Sequence, residues 1–351
     1  MMRYQQVLLE SLSSNQTSIN MNPLLTLTSP SSSTLGDFFV SNAFLGSALE
    51  FLRDEEWLQK KAHADFGLFL IEAFNSELQP IAFLQGLITA SDKKELRRLA
   101  EKSHEIERAV ISLIKAQPPQ TQKEFSIRVF ELMAVHFKTE NQQKQDDSNH
   151  GLGLGLTLYR TFDGMDEVFG LTYVADEGMK ATSKERLYEG AGIGVQSSYS
   201  TLLNALREIN PARGTRFIDL GSGYGRAGLV IGLLRPDIDF IGYEYVPHRV
   251  EIANSSVKNF NMQSHVHFYA QDLAALDFKV PEADIYYMYD PFTKETYKYV
   301  LDQLQEIGRH RRITIATKGN ARDWMDEFSN RAGWLPVQEM DGGNLCLYRS
   351  K

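Results

Sequence analysis

The second half of this sequence predicts an α/β fold, a doubly wound, mostly parallel seven-stranded sheet with a C-terminal antiparallel hairpin, preceded by an α-helical N-terminal domain. Three observations predict it. Between 196 and 351 strand-like and helix-like runs alternate, the pattern of a parallel sheet covered on both faces. The last two strand-like runs, 334–340 and 344–349, are joined by Asp341-Gly342-Gly343, a hairpin turn sequence. From 36 to 139, by contrast, apolar residues recur at three- and four-residue intervals.

Residues 1–35 are rich in Ser, Asn, Thr and Gln and include Pro30-Ser-Ser-Ser33. Such a composition buries too little apolar surface to offset its ordering entropy, so the segment is predicted to be disordered. The helical pattern of 36–139 is carried by Phe44, Leu45, Leu49 and Leu52, then by Phe66, Phe69, Leu70 and Phe74. Its clearest seam is Leu96, Leu99, Ser103, Ile106, Val110 and Leu113, on a helix for which Ser91 is the expected N-cap. That seam reads first as the inside of a helical bundle, and beside that as a dimer interface or partner surface. Pro118-Pro119 ends the helix, and Thr121 with Glu124 has capping-box spacing for the next. The polar and Gly-rich stretch 140–155 is the expected linker, and 156–195, aromatic and mixed in pattern, the expected bridge or lid. Toward the C-terminus a helix is expected around 198–208 and strands at 216–220, 239–244, 264–269, 284–289 and 312–317.

Bulk composition narrows the function classes. A length of 351 residues suggests two domains, and 42% apolar with 23% charged residues is an ordinary globular balance. A net charge of −8 disfavours a broad nucleic-acid footprint, and the nearest basic cluster, Arg309 to Arg312, is short. The lone Cys346 leaves no internal disulfide and no cysteine metal site, and reads as a packed strand residue. His265 and His267 lack an evident third ligand, so no metal is expected. No membrane-length apolar run and no basic-then-apolar leader is present, which makes a cytoplasmic location the expectation; export by a dedicated machine reading a short unstructured signal would leave no trace.

The first strand, Arg216 to Leu220, runs into Gly221-Ser222-Gly223-Tyr224-Gly225-Arg226 and then an apolar helix. Glycines let the chain turn sharply beside a ligand, and the helix N-terminus offers free N–H groups, which together make a cofactor seat. Gly223-Tyr-Gly225-Arg-Ala-Gly228 also satisfies the dinucleotide fingerprint, with Glu244 about twenty residues on. In a nicotinamide site, however, the first glycine follows the strand directly, whereas here Asp219 stands at the strand end and suits an amino or sulfonium cation.

Asp219-x-Gly221-x-Gly223-x-Gly225, Glu244, Asp272 and Asp290-Pro291-Phe292 together resemble the motif series of class I S-adenosylmethionine-dependent methyltransferases, over roughly 188–351. The resemblance implies that the Gly221–Gly225 loop, Ser222 included, lies along the methionine part of S-adenosyl-L-methionine with Asp219 near its amino group. It implies that Glu244 accepts both ribose hydroxyls, that Tyr245 sits beside the adenine, and that Asp272 and the Leu273 backbone meet the adenine ring. Asp290, Pro291 and Phe292 would present the methyl acceptor, Asp290 and the proline carbonyl holding N–H groups and Phe292 a cationic product. One proline stands where the amino-methyltransferase signature has two.

Tyr188-Glu189-Gly190, followed by Gln196-Ser197-Ser198-Tyr199, is similar to the non-SET lysine methyltransferases of the disruptor-of-telomeric-silencing type, with Tyr-Glu-Gly here where they have Tyr-Gly-Glu. This implies a lid or substrate role for Tyr188, Glu189 and Tyr199. The Gly-Ser-Gly-x-Gly-Arg loop with Tyr243-Glu244 also resembles the mitochondrial lysine methyltransferases of the adenine-nucleotide-translocase and ATP-synthase type. A protein lysine is thus the leading acceptor and a protein the expected partner. RNA, a small-molecule amine, or a non-catalytic scaffold bearing a methyltransferase-like domain are the alternatives.

Overall fold

The computed structural model describes residues 3–13, 32–76, 78–146, 162–176, 196–289, 291–319, 322–340 and 345–351. They form two compact units, Met1–Val168 and Phe169–Lys351.

The first unit is helical: α1 (Arg3–Ser13), α2 (Ser32–Lys61), α3 (Phe66–Asn75), α4 (Lys93–Lys115) and α5 (Pro119–Asp146), with shorter turns between α3 and α4. Leu96, Leu99, Ser103, Ile106 and Val110 of the long seam are buried inside this unit. There α4 packs closely on α2, where Asn42 Nδ2 donates to Ser103 O (2.9 Å) and Ser103 Oγ donates to Asn42 O (3.0 Å). Gly46 permits the approach, since a Cβ there would lie 2.9 Å from Ser103 Oγ.

Four expectations change in this unit. The predicted disorder of 1–35 gives way at α1, because Val7, Leu8 and Leu12 are buried and Lys102 Nζ donates to the terminal carbonyls of Ser11 (3.1 Å) and Leu12 (3.3 Å). The N-cap of α4 is Asp92, whose carboxylate accepts from Glu95 N–H, while Ser91 Oγ donates backward to Leu87 O. Helix α5 begins at Pro119, where a missing N–H costs nothing, so Thr121 lies inside it and Glu124 accepts from Gln120 and Ser32 instead of closing a capping box. Finally α5 runs to Asp146, into the predicted linker, and the boundary between the units falls within the predicted bridge. Phe162 and Met165 belong to the helical core, the Phe162 ring centroid lying 6.4 Å from that of Phe39.

The second unit carries β1 (Arg216–Leu220), β2 (Asp239–Glu244), β3 (Val266–Ala270), β4 (Ile285–Tyr289), β5 (Thr314–Lys318), β6 (Gln338–Met340) and β7 (Leu345–Arg349) in the sheet order β3-β2-β1-β4-β5-β7-β6. The first five are parallel, and β7 runs antiparallel to both β5 and β6. Helices α6 (Tyr199–Ile209), α7 (Arg226–Leu234), α8 (Pro247–Asn259), α9 (Lys294–His310) and α10 (Arg322–Ala332) alternate with the strands. Ser198 caps α6 by accepting from Thr201 N–H. The β-branched and aromatic runs of β1, β4 and β5 have no polar face because both faces are covered, and Ile218, Leu220, Tyr286, Met288 and Ile315 share one core cluster.

Strand β6 is shorter than its apolar pattern predicts, since Trp334 and Val337 pack on the core from outside the strand; the Asp341-Gly342-Gly343 turn lies outside the described residues. Cys346 is buried in β7, and His265 is buried with Nε2 3.0 Å from Gly232 O. Among the described residues no cluster of three metal-ligating side chains occurs, and no helix is long and apolar enough to cross a membrane. Five parallel strands deliver their C-terminal ends to a single edge, with the order reversing at β1 and β4, and in such sheets that crevice is where ligands bind.

Candidate functional site

The loop after β1 is stitched to the end of β2, with the N–H groups of Gly221 and Ser222 both donating to Tyr243 O at 2.9 Å. Gly221 has φ 93°, and a Cβ there would collide with Pro291, so this position demands glycine for both conformation and space. Ser222 turns its side chain toward β2, where a Cβ on Gly242 would lie 2.8 Å from Ser222 Cβ. Its buried Oγ has no hydrogen-bond partner among the described residues. Gln196 lies over the loop, its amide 3.1 Å from where a Gly223 Cβ would be. Gly225, at φ 85°, starts α7 where Phe268 and Ala253 leave no room for a side chain.

Glu244 ends β2 and is buried. Its Oε2 accepts from Gly223 N–H (2.8 Å) and its Oε1 from Val246 N–H (3.0 Å). A carboxylate has about four acceptor positions, so two bonds leave it able to receive a vicinal diol. Asp219, at 3% exposure, is held well above the ordinary carboxylate range by burial and by the neighbouring Glu244 charge. Burial likewise raises Glu244, against which the Arg249 guanidinium and the two backbone N–H groups pull it down. Two buried carboxylates beside a close-fitting glycine loop suit a ligand that brings a cation and a diol together, which are the amino group and ribose of S-adenosylmethionine.

Next along the edge, Gln271 N–H donates to Glu244 O (2.8 Å), and Asp272 follows, half-buried, with Oδ1 accepting from Ala274 N–H (2.8 Å). Leu273 is buried in the core cluster and Tyr245 half-buried beside Glu244. The edge thus brings Asp219, the glycine loop, Glu244, Tyr245 and the Asp272-Leu273 turn together. On the other side Pro291 abuts Gly221.

Two side chains sit elsewhere than the sequence suggested. Phe292 has no exposed surface: its ring packs edge-on to Tyr297 at 5.1 Å in the hydrophobic core, so it cannot cradle a cationic product. Tyr199 is 2% exposed, with the Arg226 guanidinium 4.6 Å from its ring centroid and Phe169 against it, which makes it a packing residue of α6 instead of a substrate-facing one. Tyr188, Glu189 and Asp290 lie outside the described residues.

Sequence reasoning missed two groups. Lys318, at the end of β5, is buried at 2% exposure with Nζ 3.0 Å from Thr201 Oγ1 and 5.0 Å from the Tyr289 ring centroid. A lysine ending an apolar strand was the available signal. Behind Glu244, Arg249 of α8 makes a two-toothed pair with Asp176, Nε to Oδ1 at 3.1 Å and Nη2 to Oδ2 at 2.9 Å. Nothing local in the sequence connects two residues 73 positions apart.

The model of a family described as a methyltransferase domain matches residues 211–338. No curated protein matches the chain. Solved structures similar to it include a precorrin-6y C5,15-methyltransferase from Geobacter metallireducens (12% identity, 45% of this chain and 89% of that one, TM-score 0.36). Others are a TehB-like S-adenosylmethionine-dependent methyltransferase from Corynebacterium glutamicum (17%, 41% and 84%, 0.31) and an S-adenosylmethionine-dependent methyltransferase from Aquifex aeolicus (15%, 43% and 89%, 0.33). The second unit has a Rossmann-like, doubly wound sheet that ends in an antiparallel pair. Residues 211–338, within this unit, thus carry the likeness to a methyltransferase domain.

Proposed function

We propose that the protein methylates an amine, foremost a lysine side chain of another protein. The observation that supports the reading is the close approach of Pro291, in the segment proposed to present the acceptor, to Gly221 of the loop proposed to hold the methionine part. Bound S-adenosylmethionine supplies a methyl group already activated on sulfur. The chain must then hold a neutral amine in line with it, which is a task of positioning and of excluding water.

A lysine ammonium has a reference pKa of about 10.4 and no lone pair to give, so the acceptor side must favour the neutral form. Two features of the β4 and β5 ends support that. Tyr287, buried with its hydroxyl 2.7 Å from Ser197 Oγ, and the half-buried Tyr289 make an aromatic, poorly hydrated wall. Lys318, lying over Tyr289, places a like charge that disfavours an ammonium nearby. For a protein substrate, the helical unit offers exposed large apolar residues, Trp57 and Leu58 on α2 and Leu68 and Ile71 on α3. The same Lys318 favours a second reading, a hydroxyl acceptor on a small molecule, because a buried cation stabilises an oxyanion.

Transfer of labelled methyl from S-adenosylmethionine distinguishes them when lysine-containing proteins, the same proteins with every lysine previously dimethylated, RNA and small phenols are offered in parallel. Label in the unmodified proteins that disappears on prior dimethylation is expected. Label confined to phenols or to RNA would overturn the amine reading.

A further inference from the structure

The Asp176–Arg249 pair has no place in binding or chemistry as described so far. It is buried, Asp176 at 3% and Arg249 at 8% exposure, and it lies directly behind the carboxylate that faces the ribose. Burying an ion pair recovers little stability over apolar packing, because desolvating both charges offsets their attraction. Satisfying Asp176 also uses only Nε and Nη2 of the guanidinium. The remaining Nη1 points at Glu244 Oε1, 3.6 Å away.

We propose that Arg249, tethered by Asp176, is a positioning residue for cofactor binding: it keeps the Glu244 carboxylate charged and aimed so that its oxygens take the two ribose hydroxyls. The inference rests on the cofactor and is independent of the acceptor. Five groups face Glu244 from the elements packed on it. Asp219 of β1, whose proton the Glu244 charge helps to retain, adjoins it, and Asp176, on the turn Val174–Asp176, repels it. Arg249 of α8 attracts it, and Gly223 and Val246 donate backbone N–H groups. Among charged side chains Arg249 is therefore the counterweight to burial and to the Asp176 charge.

The tether fixes where that counterweight stands. Asp176 Oδ1 also lies 2.8 Å from His248 Nε2, and the Tyr224 ring lies beneath the guanidinium at 5.6 Å, with Tyr173 edge-on to it at 4.6 Å. Arg249 is thus held by Asp176 and Tyr224, and its remaining Nη1 faces the Glu244 oxygen. Loss of the cation leaves Glu244 buried beside acids, where it takes up a proton and offers one acceptor fewer.

The test is calorimetric titration with S-adenosylhomocysteine, which carries the same ribose and cannot be turned over, at pH 6 and pH 9 for the full chain and its variants. For Arg249→Met the ratio of its Kd to that of the unaltered protein is expected to be at least tenfold at pH 6 and to shrink to threefold or less at pH 9, where Glu244 ionises unaided. Arg249→Lys, which keeps a charge, is expected to recover most of the loss at pH 6. Asp176→Asn is expected to weaken binding three- to tenfold at pH 6. A ratio for Arg249→Met equal at both pH values, or failure of lysine to rescue, would mean a merely structural role and overturn the proposal. Should Arg249→Met not fold, unchanged binding by Asp176→Asn at pH 6 overturns it equally.

Discussion

Replacing Asp219 by Asn is expected to stabilise the free protein and weaken cofactor binding, opposite effects from one nearly isosteric exchange. Asp219 is buried at the end of β1 beside Glu244, and burial first, then that neighbour's charge, raises its pKa well above the ordinary carboxylate range. The folded protein therefore retains a proton that the unfolded chain loses near pH 3.9. Since the native state binds more protons, stability falls as pH rises from that value through the folded pKa, by about 1.4 kcal/mol per pH unit for one proton. Asn has nothing to ionise, so the gap between variant and parent should be near zero at pH 4, widen with pH, and level off above the folded pKa.

Binding runs the other way. The variant loses a charged partner for the cofactor's amino group, and a hydrogen bond to a charged group contributes about 1.5–3 kcal/mol, or roughly tenfold to 150-fold in Kd. Urea midpoints between pH 4 and 8, with calorimetry of S-adenosylhomocysteine at pH 8, measure both. A variant that loses stability and affinity together at every pH would refute the reasoning, because it would make Asp219 a structural anchor.

Gly221→Ala should cost about 1–2 kcal/mol for the left-handed conformation and about 1–3 more for overlap with Pro291; an unchanged melting temperature would show that the Pro291 segment yields freely. In the helical unit Asp92→Ala should destabilise by about 1 kcal/mol through loss of the α4 cap, whereas Ser91→Ala should stay within about 0.5 kcal/mol. Equal losses in denaturant would contradict that assignment. With Asp219 and Glu244 both raised, the proposed binding of the cofactor by their carboxylates would expel protons at low pH and give an affinity that grows as pH rises. The increase in melting temperature produced by S-adenosylhomocysteine should accordingly be larger at pH 8 than at pH 5, and equal increases would count against ionisation on binding.

Strands β1 and β2 coincide with their sequence-predicted bounds because each is an apolar run stopped by a residue of different character, Gly221 after one and Glu244 at the end of the other. The cofactor edge was legible for the same reason, since strand ends and turns are local. Averages misled: the Ser- and Asn-rich composition of 1–35 concealed Val7, Leu8 and Leu12, whose burial gives α1 its place. Caps were read one residue early at Ser91 and three late at Thr121, because several polar residues near a helix start can cap it and only the backbone chooses. The direction of Phe292 was not readable, since an aromatic after a proline has the same sequence signature whether it faces acceptor or core. Asp176 with Arg249 was invisible because their pairing is a tertiary fact.

The position of β7 sets an order of assembly. It lies between β5 and β6, although both precede it in the chain, and β6 pairs with nothing else in the sheet. Until Leu345–Arg349 dock, the edge of β5 bearing Thr314 to Lys318 stays open, and β6 has no strand to join. Open edges of this kind invite pairing with other chains. During synthesis the five parallel strands therefore exist for a time as an unfinished sheet whose vulnerable margin adjoins Lys318, and the arrival of β7 both closes that margin and recruits β6 as the new border.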